Sequence, residues 1–104
     1  MNIEGVRRIV TAIDPDAKHY YTRLDGGSFT VWAETDRTGL EADNGYSELG
    51  WNFEIIRYTQ NEYDPMPAKI EEALRKNPLV GFEYRVDVDP ESRYIMHVFS
   101  CGVS

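Results

Sequence analysis

Two acidic pairs have the spacing in this 104-residue chain that comes closest to metal chemistry: Asp14-x-Asp16 and Asp87-x-Asp89. Carboxylate oxygens at such spacing are ligands that hard cations accept. In both pairs a proline adjoins the acids at a predicted turn, and neither pair has the spacing of a calcium-binding loop. Because Asp-Pro turns form without any ion, we predict no metal site. One alternative function for the chain is a metal-dependent hydrolase that uses Asp87 and Asp89. Such an enzyme would need a pocket, and no motif in the sequence indicates one.

Other reactive residue types also lack the context that chemistry requires. His19 and His97 have no His or Cys neighbour at the spacing of a zinc site, and the single Cys101 excludes an internal disulfide and a cysteine-based zinc cage. Gly26-Gly27 is not followed by a helix with Lys and Ser or Thr, as a phosphate-binding loop would be. The sequence therefore predicts a protein that is not an enzyme and that needs no cofactor.

Composition excludes further classes of protein. Eleven Lys and Arg against eighteen Asp and Glu give a net charge of −7, which repels the phosphate backbone that nucleic-acid readers must neutralise. The length and the 41% apolar share predict one globular domain over residues 1–104. No window approaches the roughly 18–20 apolar residues of a membrane span. The first residues show no signal-peptide run, so we expect the chain in the cytoplasm where it is made.

The elements of the first half begin with a helix. Apolar residues recur every three or four positions over residues 2–13, and Pro15 ends this helix. A strand-like run over 19–24, a glycine turn and a second run over 28–34 predict a hairpin or a bent strand. The polar stretch over 35–50 predicts a long exposed loop or hairpin tip.

The second half alternates strand and helix patterns. Residues 51–58 predict a strand, residues 64–76 a helix with Pro67 in its first turn, and residues 82–101 a hairpin that turns at Asp89-Pro90-Glu91-Ser92. The order of elements predicts an α+β fold: a mainly antiparallel sheet of about four to five strands with two helices packed on one face. The buried stripe of the second helix is predicted to be Ile70, Ala73 and Leu74.

Five short sequence segments follow one another in a characteristic order along much of the chain: Phe29-Thr30-Val31-Trp32, Glu41-Ala42-Asp43-Asn44, Trp51-Asn52-Phe53-Glu54-Ile55-Ile56-Arg57-Tyr58-Thr59, Tyr63-Asp64-Pro65 and Ile70-Glu71-Glu72-Ala73-Leu74. In this order they resemble the small tail-terminator, or head-to-tail joining, proteins of long-tailed bacteriophages, which include minor capsid and tail-completion proteins. That family has a short N-terminal helix, an extended apolar strand, an acidic loop, a polar-aromatic strand, a helix and two final strands.

The resemblance implies a structural role in the virion, at the neck or the top of the tail, after assembly in the host cytoplasm. Subunits would form a homomeric ring, typically a hexamer, that caps the tail tube and stops its polymerisation. The implied partners are further copies of the chain, the phage tail-tube protein and the head-completion or connector protein. DNA would pass through the lumen without specific binding, and no membrane is involved.

A ring of this kind needs apolar anchors at its subunit contacts. The aromatic residues Trp32, Trp51, Tyr58 and Tyr84 are candidates for that role. The predicted subunit or tail-tube interface consists of Trp32, Arg37, Glu41, Asp43, Tyr46 and Trp51.

A second interpretation belongs to a different class of protein. The same acids and aromatics would serve an acidic cytosolic interaction or inhibitor module that binds a basic partner protein or mimics nucleic acid. Genomic neighbours discriminate between the two, because capsid, portal and tail-tube genes favour joining and a toxin gene favours inhibition.

Overall fold

The computed structural model of the chain describes residues 3–20, 27–38 and 50–103. Its strands form one five-stranded sheet in the order β1-β2-β3-β5-β4, in which β1 is parallel to β2 and the other neighbours are antiparallel. The predicted α+β fold is confirmed. The elements are α1 (Ile3–Ile13), β1 (Lys18–His19), β2 (Phe29–Thr38), β3 (Gly50–Thr59), α2 (Met66–Arg75), β4 (Val80–Val88) and β5 (Ile95–Val103).

Both helices pack on one side of the sheet, and we call this the helix side. Val6 and Val10 of α1 and Ile70 and Leu74 of α2 are buried there, while Ala73 is half-buried. Apolar burial of this kind is the main favourable term in folding. Neither helix in the described part of the chain is long and apolar enough to cross a membrane. The sheet residues of the same core cluster are Trp32, Phe53, Ile55, Val80, Phe99 and Cys101.

Helix α2 begins at Met66, two residues after the predicted start at residue 64. Pro67 lies in its first turn and is buried, which is a position where the missing N–H costs no hydrogen bond. Asp64 lies just before the helix, and its Oδ1 accepts the Met66 N–H at 3.1 Å. The N-cap position itself belongs to Pro65, which has no side-chain cap. Asp64 therefore shapes the turn that leads into α2.

The hairpin predicted from residues 19–24 and 28–34 is wrong in the part that the structure describes. β1 has only two residues and runs parallel to β2, with Lys18 opposite Val31 and His19 opposite Trp32. The strand ends because Tyr20 adopts φ 75°, in the left-handed region, where an extended chain cannot continue. Residues 21–26 lie outside the described residues.

The connection predicted at 35–50 is shorter than its composition suggests. β2 continues through Thr38 and β3 begins at Gly50, so both ends of this segment are paired strand. Arg37 lies opposite Trp51 and Thr38 opposite Gly50 in that antiparallel ladder. Polar side chains do not prevent this pairing, because the ladder is made by backbone groups. Residues 39–49 lie outside the described residues.

The C-terminal hairpin is confirmed as β4 and β5. Its turn is closed by backbone hydrogen bonds from Asp89 to Tyr94 and from Arg93 to Asp89, at 2.9 Å and 2.8 Å. Arg93 takes φ 64° where the chain reverses. The turn sets a register in which Tyr84 lies opposite Phe99 and Val86 opposite His97.

Candidate functional site

Strand β4 forms an edge of the sheet and carries the most exposed apolar strand residues in the described chain. Among the described strands it pairs with β5 alone. Tyr84, Val86 and Val88 are 43%, 46% and 62% exposed, although their register places them on the helix side. An unpaired strand edge with apolar side chains readily binds another chain.

The exposure of β4 follows from the shorter length of α2. A helix of 10 residues is about 15 Å long, whereas a strand of 9 residues spans about 30 Å. At the covered end Val80 is buried and Phe82 is half-buried, with the Arg75 guanidinium carbon 5.4 Å from the Phe82 ring centroid. The other end, with Val86 and Val88, extends past this cover.

Tyr84 is held rigidly between the covered and the exposed ends of β4. Its ring stacks on Phe99 with centroids 4.8 Å apart, and its hydroxyl lies 2.7 Å from His97 Nδ1. Burial raises the pKa of Tyr84, and the charge of Glu71 adds to this effect. Burial lowers the pKa of His97, which favours the neutral imidazole beside the Tyr84 hydroxyl. Tyr84 is thus an ordered aromatic group at the edge.

The other side of β4 carries alternating charges. Glu83, Arg85 and Asp87 all point away from the helix side and are exposed. Arg85 Nε lies 3.3 Å from Asp87 Oδ2, and both side chains are more than half exposed. The edge therefore combines an apolar row on one side with an acid-base-acid row on the other.

An open groove of about 600 Å³ lies mainly on the side of the sheet opposite the helices. Ser100 lies opposite Glu54 on one neighbouring strand and opposite Glu83 on the other, and its Oγ donates to Glu54 Oε2 at 3.4 Å. Gly81 and Gly102 face each other beside this row and leave the backbone uncovered. This groove is acidic and suits a basic group better than an anion.

A second polar cluster ties β1 to β2. His19 Nε2 lies 3.0 Å from both carboxylate oxygens of Glu34, and the Tyr20 hydroxyl also donates to Glu34. The His19 ring stacks between Tyr20 and Trp32, with centroids 4.1 Å and 3.9 Å away. Burial acts to raise the pKa of Glu34, but the hydrogen bonds from Tyr20 and His19 hold it below its ordinary value. The cluster holds the short strand β1 against β2, at the edge of the sheet opposite to β4.

Arg57 is the centre of a buried ionic cluster beneath the ends of the helices. Its Nε donates to Asp64 Oδ2 at 2.7 Å, its Nη1 donates to Thr30 Oγ1 at 3.0 Å, and Nη1 lies 3.5 Å from Asp14 Oδ2. The three charged side chains are between 8% and 11% exposed. The cluster joins the end of α1, β3 and the start of α2.

The carboxylates first considered for metal binding are used by the chain itself. Asp14 Oδ1 accepts the Asp16 N–H at 3.0 Å, and Asp89 accepts the Glu91 N–H and the Ser92 hydroxyl. Within the described ranges no group of three or more His, Cys, Asp or Glu side chains is placed to hold a metal ion. The geometry adds no support to the metal-dependent interpretation.

The predicted interface residues are only partly described. Trp32 is 2% exposed in the core, which removes its side chain as a surface anchor on the single chain. Its indole belongs to the core cluster and stacks on the His19 ring instead. Arg37 and Trp51 lie opposite each other in the β2–β3 ladder. The predicted residues outside the described part of the chain are Glu41, Asp43 and Tyr46.

The remaining aromatic candidates differ in exposure. Tyr58 is half-buried and stacks on Phe29, with centroids 4.9 Å apart, whereas Tyr84 is exposed. Val86 and Val88 lie in the first strand of the hairpin predicted over residues 82–101, and the alternation that predicts this strand does not indicate that they are exposed. No local signal marks this exposure, because it depends on α2 being shorter than β4 where the two elements pack together.

A scan against models of protein families gives no match to this chain. A comparison with curated protein sequences gives no significant match either.

Proposed function

We propose that this protein is a structural virion protein of the tail-terminator or head-to-tail joining class. It caps the tail tube of a long-tailed phage as a homomeric ring of six copies and joins the tail to the head connector. It is assembled in the host cytoplasm and acts at the neck of the virion without catalysis. The observation that carries the proposal is the open edge strand β4, with Tyr84, Val86 and Val88 exposed.

An edge of this kind suits self-association. In a ring each subunit offers one surface to the next subunit and receives a different one, so its contacts are heterologous. Strand edges supply backbone donors and acceptors for such contacts, and buried aromatic residues supply much of their energy. Tyr84 is an ordered aromatic side chain at the edge, next to two exposed valines.

The charge of the chain is compatible with a DNA channel. A net charge of −7 and acidic side chains such as Glu54 and Glu83 along the open groove repel phosphates. A lumen with this character lets DNA pass without holding it. The segments that resemble the joining proteins lie in β2, β3, the β3–α2 connection and α2, and Glu41-Ala42-Asp43-Asn44 lies outside the described residues.

The test is complementation of a phage that encodes this protein and from which its gene is deleted. Val86→Lys with Val88→Lys places two charges on the exposed end of β4 without touching the core. We expect a folded chain that fails to join heads to tails, with overlong headless tails in electron micrographs. Tyr63→Lys is the matched control, because Tyr63 is 82% exposed and lies outside β4, and it should restore normal particles.

A second candidate function is supported by the acidic groove around Glu54 and Glu83. This is the acidic interaction or inhibitor module that binds a basic partner protein. Deletion of the gene discriminates between the candidates: particles of normal tail length with heads attached would contradict the terminator proposal and favour the module. Glu54→Lys with Glu83→Lys should then abolish binding of the basic partner.

A further inference from the structure

We infer that the free chain forms a twofold dimer in which β4 pairs antiparallel with β4 of a second copy, centred on Tyr84. The inference goes beyond the proposed ring and does not depend on it. It rests on the open edge of β4, on the charges along that edge, and on the fact that α2 covers only about half the length of β4.

The charge order of β4 is complementary to itself in this register. Pairing Tyr84 with Tyr84 of the second copy places Glu83 opposite Arg85 of the second copy, and the twofold axis repeats that pair. Gly81 then lies opposite Asp87, so no like charges meet. All nine residues of the strand find a partner. Opposite charges directly across two antiparallel strands attract, and like charges repel.

In the neighbouring registers, like charges would meet across the two strands. A pair centred on Arg85 would place Arg85 opposite itself and Glu83 opposite Asp87. A pair centred on Val86 would place Arg85 opposite Asp87, but it would also place Glu83 opposite Asp89 and leave the first residues of β4 without partners. A shift by one residue would turn the second copy over, because the side-chain period of a strand is two. The sequence of β4 therefore selects the register centred on Tyr84.

The apolar side of β4 is complementary in the same register. Val86 of one copy lies beside Phe82 of the other, and Val88 lies beside Val80. Phe82 and Val80 are at the end that α2 covers, whereas Val86 and Val88 are at the uncovered end. Each copy thus brings its covered end next to the uncovered end of the other, and the two α2 helices lie at opposite ends of the joined strands.

The dimer and the proposed ring use the same edge. A ring contact needs β4 against a different surface of its neighbour, whereas the twofold contact joins two identical edges and closes on itself. The twofold dimer is therefore the form that covers β4 while the chain is free, and it keeps the edge from open-ended association.

The experiment is sedimentation equilibrium of the purified full chain over about 5 µM to about 500 µM, with four proteins compared. The wild type should show a mass twice that of the chain. Glu83→Arg and Arg85→Glu should each weaken the dimer at least about tenfold, because both symmetric pairs become repulsive. The double variant restores opposite charges across the axis and should return to within about threefold of wild type.

Glu62→Arg is the matched control for Glu83→Arg, since it makes the same change of charge at an exposed residue of the β3–α2 connection. It should leave the dimer unchanged, and circular dichroism should show that all variants are folded. A monomer at every concentration would overturn the inference. A double variant no tighter than the single ones would overturn it too. A hexamer that the single variants leave intact would overturn the dimer and support the ring.

Discussion

At the scale of single residues, Arg57 has the most demanding environment in the described chain. A guanidinium that is 11% exposed must be paired, because an unpaired buried charge costs several kcal/mol. Asp64 supplies the pairing from the connection that follows β3, and Asp14 supplies it from the distant end of α1. Burial acts to raise the pKa of the Asp64 carboxyl, but the hydrogen bonds from Arg57 and from the Met66 N–H, together with the Arg57 charge, hold it below the ordinary 3.8.

Asp64→Asn should lower the free energy of unfolding at neutral pH by about 1.5–3 kcal/mol, the range for a hydrogen bond to a charged group. Because the folded pKa is lowered, the stabilisation is fully present above about pH 3.8 and is lost as pH falls through the folded value. The variant should therefore lose less stability than the wild type in acid. Urea unfolding at pH 7 and below pH 4 measures both effects. Asp16→Asn, at an exposed carboxyl, should behave like the wild type.

At the scale of elements, the packing of α2 on the sheet holds the molecule together. Ile70 and Leu74 are fully buried on the helix side, in the same core cluster as Phe53 and Ile55. The periodicity of residues 64–76 indicated this stripe, and the confirmed helix is Met66–Arg75. Intrinsic helix propensity alone would not keep a ten-residue helix folded in water. The stability of α2 therefore comes from its packing on the sheet.

Leu74→Ala should reduce the free energy of unfolding by about 2–5 kcal/mol, because it leaves a cavity in a packed core. Thermal and urea unfolding of the variant measure the loss. Glu72→Ala, on the exposed side of the same helix, should change stability by no more than about 0.5 kcal/mol. A loss below about 1 kcal/mol for Leu74→Ala would mean that the site relaxes around the missing side chain.

At the scale of the whole molecule, charge governs what the protein does near DNA. The chain carries −7, and two of its acidic residues, Glu54 and Glu83, line the groove on the side of the sheet opposite the helices. Non-specific DNA binding comes from the neutralisation of phosphates by Lys and Arg. The electrostatic field of this molecule opposes that contact.

We expect no measurable retention of duplex DNA at physiological salt, with any dissociation constant weaker than about 10⁻⁴ M. Fluorescence anisotropy of a labelled duplex measures this directly. A micromolar affinity that falls steeply with added salt would contradict the prediction and would place a basic surface in the assembled form. The Glu54→Lys, Glu83→Lys variant shows how far the acidic groove contributes to the repulsion.

The sequence by itself determined the parts of the molecule whose signals are local. Helices α1 and α2 follow from apolar spacing of three and four residues between proline and acidic boundaries, and β3, β4 and β5 follow from alternation. The net charge and the lack of reactive motifs are likewise readable without coordinates. The pairing of Arg57 with Asp14 and Asp64 was not readable, because only the packed chain brings β3 and the segments after α1 and before α2 together.

The tertiary structure alone decided which strand edges and faces remain open. β1 became a two-residue parallel strand because Tyr20 leaves the extended conformation, and β2 extended into polar residues because backbone pairing does not require apolar side chains. Val86 and Val88 have the same alternation as buried strand residues. They are exposed because a helix of about 15 Å cannot cover a strand of about 30 Å, and only the packed molecule brings those two lengths side by side.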